Sequence, residues 1–181
     1  MPDLGLTTEF LLSREIELVL GLLTPENRLV MRLLLHTGLR ISDALALRPE
    51  QLKPNFWITE QKTGKRRQIG IPEPLLSDLR DNSDETWVFP GEKFGKHRTR
   101  QAVWKDVKRA ARACRLTQNV APHSARKVYA VELLRKYGDI ERVRRALVHS
   151  SLEVTMIYAM ADARLDARFR RRRSGAGRKK A

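Results

Sequence analysis

The stretch TPENRLVMRLLLHTG, residues 24–38, sets the tightest limit on how this chain folds. Leu29, Val30, Leu33, Leu34 and Leu35 recur at helical spacing and leave little polar surface. A helix that apolar belongs inside a core. Pro25 suits the first helical position, and Glu26 suits the positive end of the helix dipole. Gly38 supplies a left-handed stop. Other amphipathic segments must therefore pack around a central buried helix.

Those segments are readable on both sides of it. Thr7, Thr8, Glu9 and Ser13 precede Ile16, Val19, Leu20 and Leu23, the pattern of a capped amphipathic helix. A short helix is expected over 42–47, with Pro49 following. Residues 56–59 and 67–71 read as two strands of a hairpin, and Gly64 turns the chain between them. Leu75, Leu76 and Leu79 suggest a short helix, and Trp87-Val88-Phe89 a third strand. Farther on, Val103, Trp104, Val107, Ala110, Ala111 and Cys114 recur at helix spacing, with Lys105, Lys108, Arg109 and Arg112 opposite. Pro122 opens a helix to about residue 137 with Val128, Val131 and Leu134 inward, and Gly138 ends it. Helices near 140–147 and 151–160 follow. The expected fold is mainly α with one small antiparallel β-sheet.

Charge limits the partner. The 181 residues carry 36 Lys plus Arg against 21 Asp plus Glu, a net +15. Residues 1–90 sum to −2 and residues 91–181 to +17. Such asymmetry points to a polyanion met by the second half, nucleic acid first and an anionic membrane second. The lone Cys114 excludes an internal disulfide framework and a cysteine-built zinc site. No apolar run approaches the ~18 residues that span a bilayer. The N-terminus has no secretory pattern. The chain reads as soluble and intracellular.

Four local features bear on chemistry. Arg40 follows a helix-ending Gly, in HTGLRISDALAL at 36–47; an isolated Arg there is ordinarily a surface residue. Lys62 sits at the hairpin tip, where most lysines are simply solvated. His123 and Arg126 lie at i and i+3 near a helix start, on one face. His149-Ser150-Ser151 precedes Tyr158 by nine positions, and Tyr158 also fits a core stripe with Val154 and Ile157.

Together these features resemble the tyrosine recombinases, the phage-integrase family that includes the Xer recombinases. The likeness rests on HTGLRISDALAL, the TGK hairpin, PHSARKVYAVELL at 122–134 and LVHSSLEVTMIYA at 147–159, and covers about residues 7–165. It implies that Arg40 and Arg126 hold the scissile phosphate. It implies that His123 hydrogen-bonds or moves a proton in the site, and that His149 donates to a phosphate oxygen. Lys62, which lies just before Thr63-Gly64, matches the general acid, with Lys65 the rival for that role, and Tyr158 matches the nucleophile. Asp43 matches an acidic group that holds the cationic site in place. A guanidinium suits such a role, because it offers planar, permanently charged donors to two phosphate oxygens.

The implied activity is site-specific breaking and rejoining of double-stranded DNA through a 3′-phosphotyrosyl link, with no cofactor and no metal. The implied partners are a homo-oligomer, a tetramer, on DNA, and accessory DNA-binding proteins. A DNA-binding accessory protein without strand exchange is the alternative, as is nicking and resealing alone. Lys65, Arg66, Arg67, Lys127 and the tail residues Arg170, Arg171, Arg172 and Arg173 are expected DNA contacts. Residues 1–169 are expected to form the catalytic domain and 170–181 a disordered basic tail. Residues 164–181 hold nine basic side chains and one acidic. Leu165 and Phe169 are candidate anchors onto a neighbouring protomer.

Two departures stand out. Val148 replaces the glycine usual before the His149 position, and a β-branched residue does not enter the left-handed region cheaply. The family's usual N-terminal helical clamp domain has no room before residue 7, which fits either a small recombinase or a fragment of a longer integrase.

Overall fold

The computed structural model describes residues 13–147. In order, these form α1 (Ser13–Gly21), α2 (Pro25–Thr37), α3 (Ile41–Leu45), β1 (Asn55–Thr59), β2 (Arg66–Gly70), α4 (Glu73–Asn82), α5 (Arg100–Ala113), α6 (Pro122–Tyr137) and α7 (Ile140–Leu147). Among the described residues the only sheet is the antiparallel pair β1–β2. The mainly α class with one small sheet is the one observed. The chain divides into two compact units, the first ending at Tyr129 and the second beginning at Ala130, so the division falls within α6.

In the first unit α2 is the buried element its composition requires. Val30, Met31, Leu33 and Leu34 are shielded from solvent. They join one apolar cluster with Ile16 and Val19 of α1, Leu45 of α3, Leu76 and Leu79 of α4, and Val103, Val107 and Ala110 of α5. Asp106 fastens α5 to the start of α2. Its Oδ2 accepts from the Thr24 backbone N–H at 3.0 Å and from Asn27 Nδ2 at 2.8 Å. Its Oδ1 accepts from Arg109 Nε at 3.0 Å. Burial alone pushes this carboxyl's pKa up, but the hydrogen bonds from Asn27, Thr24 and Arg109 outweigh it and hold the pKa below the ordinary aspartate value.

The second unit is described through the rest of α6 and through α7. Ala130, Val131, Val143 and Leu147 are buried in it. Asp139 caps α7, accepting from the backbone N–H groups of Glu141 at 2.9 Å and Arg142 at 3.2 Å.

Two expectations are corrected. Residues 87–89 form no strand; a lone bridge joins Pro90 to His97. Val88 and Phe89 are fully buried, so this apolar run marks a core-lining loop, which periodicity cannot tell from a short buried strand. Trp104 is not inward: it is 46% exposed, because the buried arc of α5 centres on Val103, Val107 and Ala110. The expectations for residues 7–9, for a helix at 151–160, for the anchors Leu165 and Phe169 and for the tail lie outside the described residues.

Candidate active site

The site starts at the end of α2. Gly38 takes φ +63° and its N–H closes on the Leu34 carbonyl at 2.8 Å, so the chain leaves the helix in the left-handed conformation. A β-carbon on Gly38 would lie 2.3 Å from Tyr129 Cδ1, so glycine is required for space as well as conformation. This reversal delivers Arg40 two residues later as the N-cap of α3.

The hairpin supplies the next wall. Residue alternation turns Phe56 and Ile58 of β1, and Arg67 and Ile69 of β2, toward the core. Continuing that parity one step past β1 puts Glu60 inward as well, and it has no solvent exposure. The loop closes where the Gly64 N–H donates to the Glu60 carbonyl at 2.8 Å and the Glu60 N–H to the Lys65 carbonyl at 3.0 Å. Gly64 has φ +65°.

Helix α6 supplies the third wall. His123 and Arg126 share a face, as their spacing predicts. Arg126 is 3% exposed, and its Nη1 donates to the Gly38 carbonyl. His123 is exposed at the rim.

Arg40, Lys62, His123 and Arg126, from three separate segments, line one open cavity of about 710 Å³. Beneath it sits a charge cluster. Glu60 Oε2 pairs with Arg40 Nη1. Glu60 Oε1 lies 3.8 Å from Arg67 Nε and 4.0 Å from Arg126 Nη1. Asp43, also buried, accepts from the Gln61 N–H at 3.0 Å through Oδ1.

Burial first, then the neighbouring Arg40 charge, holds the Arg126 pKa down to about 10, against a partial pull upward from Glu60. Arg67 is also lowered, by burial above all. A base whose folded pKa lies below its unfolded value destabilises the fold while it is charged. That cost is present at neutral pH and fades as pH rises through about 10.

The remaining expected site residues divide. Lys65 and Arg66 are exposed on the hairpin. Arg66 stands over the outward Trp57 ring at 5.4 Å. Arg67 is a correction: it is buried, with Nη2 donating to the Thr37 carbonyl at 2.5 Å, because strand alternation turns it away from its neighbour Arg66. Lys127 is likewise buried, as are all of residues 124–128, and is not presented as a DNA contact. His149, Tyr158 and Arg170–Arg173 lie outside the described residues.

Sequence reasoning missed three cavity or cluster residues. Glu60 was legible from parity with Phe56 and Ile58. Arg100 was legible as the first residue of a helix with no acidic group in its first turn, an unfavourable place for a cation unless an anion is near. His97 lines the same cavity and carries no sequence signal of its own.

Two arginines, a hairpin lysine and a helix histidine thus converge on one open cavity of a mainly α fold. The phage integrase family model matches residues 9–164, and the chain belongs to the phage integrase family. It is 31% identical over 148 residues to the tyrosine recombinase XerA of Pyrococcus furiosus, covering 76% of this chain and 51% of that one. The catalytic domain of bacteriophage HP1 integrase superposes with a TM-score of 0.62 at 25% identity, covering 84% of this chain and 88% of that one. The XerH site-specific recombinase bound to its difH substrate, a pre-cleavage complex, superposes with a TM-score of 0.67 at 24% identity, covering 82% and 50%. The chain spans about half the length of most of the curated relatives it matches.

Proposed function

We propose that the chain is the catalytic part of a site-specific DNA recombinase. The observation that carries this reading is the convergence of Arg40, Lys62, His123 and Arg126 on one cavity over a buried counter-charge. Arg40 and Arg126 bind the two non-bridging oxygens of a DNA phosphate and stabilise the charge that builds there during attack. The Tyr158 hydroxyl oxygen attacks the phosphorus as its proton passes to His123, and the bond to the 5′ oxygen breaks. Lys62 gives a proton to that leaving oxygen. His149 hydrogen-bonds a phosphate oxygen. Asp43 holds the loop beside Lys62. A 5′ hydroxyl from another strand then attacks the phosphotyrosyl link, its proton passing to Lys62, and the tyrosine leaves with the proton returned by His123. One diester bond replaces another, so the exchange needs no nucleotide energy source.

Double-stranded DNA is the substrate, and strand exchange between duplexes implies assembly of several copies on DNA, a tetramer in the full reaction, with accessory DNA-binding proteins as further partners. Lys65, Arg66 and the basic stretch Arg170–Arg173 contact the backbone. Such a protein works at the nucleoid.

The test is incubation with a pool of nicked duplexes whose released end cannot be religated. A protein–DNA adduct stable in detergent is expected. Tyr158→Phe should abolish it and leave DNA binding nearly intact. No adduct from the unaltered chain, with binding retained, would make this an accessory DNA-binding protein. An adduct that survives Tyr158→Phe would refute the nucleophile assignment.

A further inference from the structure

Lys62 sits on a six-residue loop, and a general acid is useful only when held near the atom it protonates. The loop's fastening is specific. Glu60, at its start, is completely buried and reaches Arg40 with one carboxylate oxygen. The same oxygen accepts from Thr63 Oγ1 at 3.1 Å, across the loop. Between them, the Gln61 N–H is held by Asp43, and Gln61 Nε2 donates to the Ser42 carbonyl at 3.4 Å. Lys62 is therefore flanked on both sides by residues tied to the α3 segment that carries Arg40.

A buried carboxylate is costly unless charged partners compensate it. Glu60 has three: Arg40, Arg67 and Arg126. Asp43 acts electrostatically on Arg67 and Arg126 as well, so three guanidinium charges of the buried cluster face two carboxylates, leaving one net positive charge. A bound phosphodiester, carrying one negative charge, neutralises the cluster. The Lys62 ammonium then matches the second negative charge of the pentavalent state. An aspartate or an uncharged side chain at 60 would not both reach Arg40 and balance the cluster.

We propose that Glu60 is a positioning residue: it sets the distance between the Lys62 loop and the Arg40–Arg126 pair, so that phosphate binding and leaving-group protonation are aligned by one buried carboxylate. Glu60 touches neither DNA nor the reacting atoms. The proposal rests on the recombinase reading for its catalytic consequence, but not for its structural one.

Two measurements test it. The first needs no DNA: amide hydrogen exchange of the whole chain, unaltered and with Glu60→Gln or Glu60→Ala. Exchange is expected to rise at least about tenfold at residues 61–65 while the α2 amides of Leu33 and Leu34 are unchanged. A rise spread over α2 as well, or no change in the loop, would overturn it. Glu60→Gln, which keeps the hydrogen-bonding shape, covers the case in which Glu60→Ala does not fold.

The second uses a duplex recovered from the adduct pool, made with oxygen or with sulfur at the bridging 5′ position. A thiol, with a pKa of about 8.5, leaves without protonation. On oxygen, Glu60→Gln and Lys62→Ala should each cut about 10²-fold or more slowly, the scale of general-acid catalysis. On sulfur, both should return to within about tenfold of the unaltered chain, whereas Arg40→Ala should not. A Glu60→Gln defect that persists on sulfur would mean that Glu60 serves only the arginines and would overturn the proposal. If the unaltered chain cuts neither duplex, the recombinase reading fails, and hydrogen exchange decides the fastening by itself.

Discussion

Gly38→Ala separates two costs that usually come mixed. Gly38 and Gly64 have nearly the same backbone, φ +63° and +65°. A residue with a β-carbon pays roughly 1–2 kcal/mol in that left-handed region. At Gly64 nothing lies within 4 Å of the added carbon, so Gly64→Ala should cost only that amount. At Gly38 the added carbon would meet Tyr129 at 2.3 Å (Cδ1) and 2.6 Å (Cε1), far inside van der Waals contact. Forcing a methyl into a packed site adds about 1–3 kcal/mol, so Gly38→Ala should cost about 2–5 kcal/mol in all. In a chain of this size that is a fall of roughly 10 °C in Tm. Urea unfolding followed by circular dichroism measures it, provided the m-values agree. In a Tyr129→Ala background the Gly38→Ala cost should drop to that of Gly64→Ala, since the ring is the obstacle. If Gly38→Ala and Gly64→Ala agree within about 0.5 kcal/mol in the unaltered background, the wedge between Gly38 and Tyr129 is wrong. The substitution should also slow DNA cleavage, because the Gly38 carbonyl receives Arg126 Nη1.

Asp106→Asn should cost roughly 1–3 kcal/mol at pH 7. Its folded pKa is lowered, so the stabilisation is present above the unfolded value of about 3.9 and disappears as pH falls through the folded pKa. Urea midpoints measured from pH 7 to 2 should therefore converge for the two proteins in acid; a constant gap would refute the carboxylate's role. Arg67→Ala should destabilise by about 1–3 kcal/mol, since it removes one of the three partners of Glu60 and the buried donor to the Thr37 carbonyl. Arg66→Ala should leave stability within about 0.5 kcal/mol and weaken DNA binding instead. Equal thermal shifts for the two would contradict the strand parity. Trimming residues 170–181 removes seven basic side chains and should flatten the salt dependence of DNA binding, its logarithmic slope falling by about 0.9 for each phosphate the tail neutralises. An unchanged slope would exclude the tail as a phosphate arm.

Much of this was readable in local pattern. The apolar run of α2, its Pro25 start and its Gly38 stop dictated a central helix, because each signal acts within a turn or two of chain. The spacing of His123 and Arg126 placed both on one face for the same reason. The hairpin was legible from two alternating segments around Gly64, and that alternation also held the information that Arg67 and Glu60 point inward. Reading the basic run Lys65, Arg66, Arg67 as one surface patch overlooked it. Trp104 and residues 87–89 were misplaced because hydrophobic identity says that a residue is apolar, not which neighbour covers it.

The chain by itself determined its elements, its family motifs and the residue types fit to grip a phosphate. Only the tertiary structure decided that Arg40, Arg67 and Arg126, 27 and 59 positions apart in succession, share the one carboxylate of Glu60. Like charges gather only where a buried counter-charge offsets their repulsion and desolvation. That balance depends on distances across the fold, which no local pattern encodes.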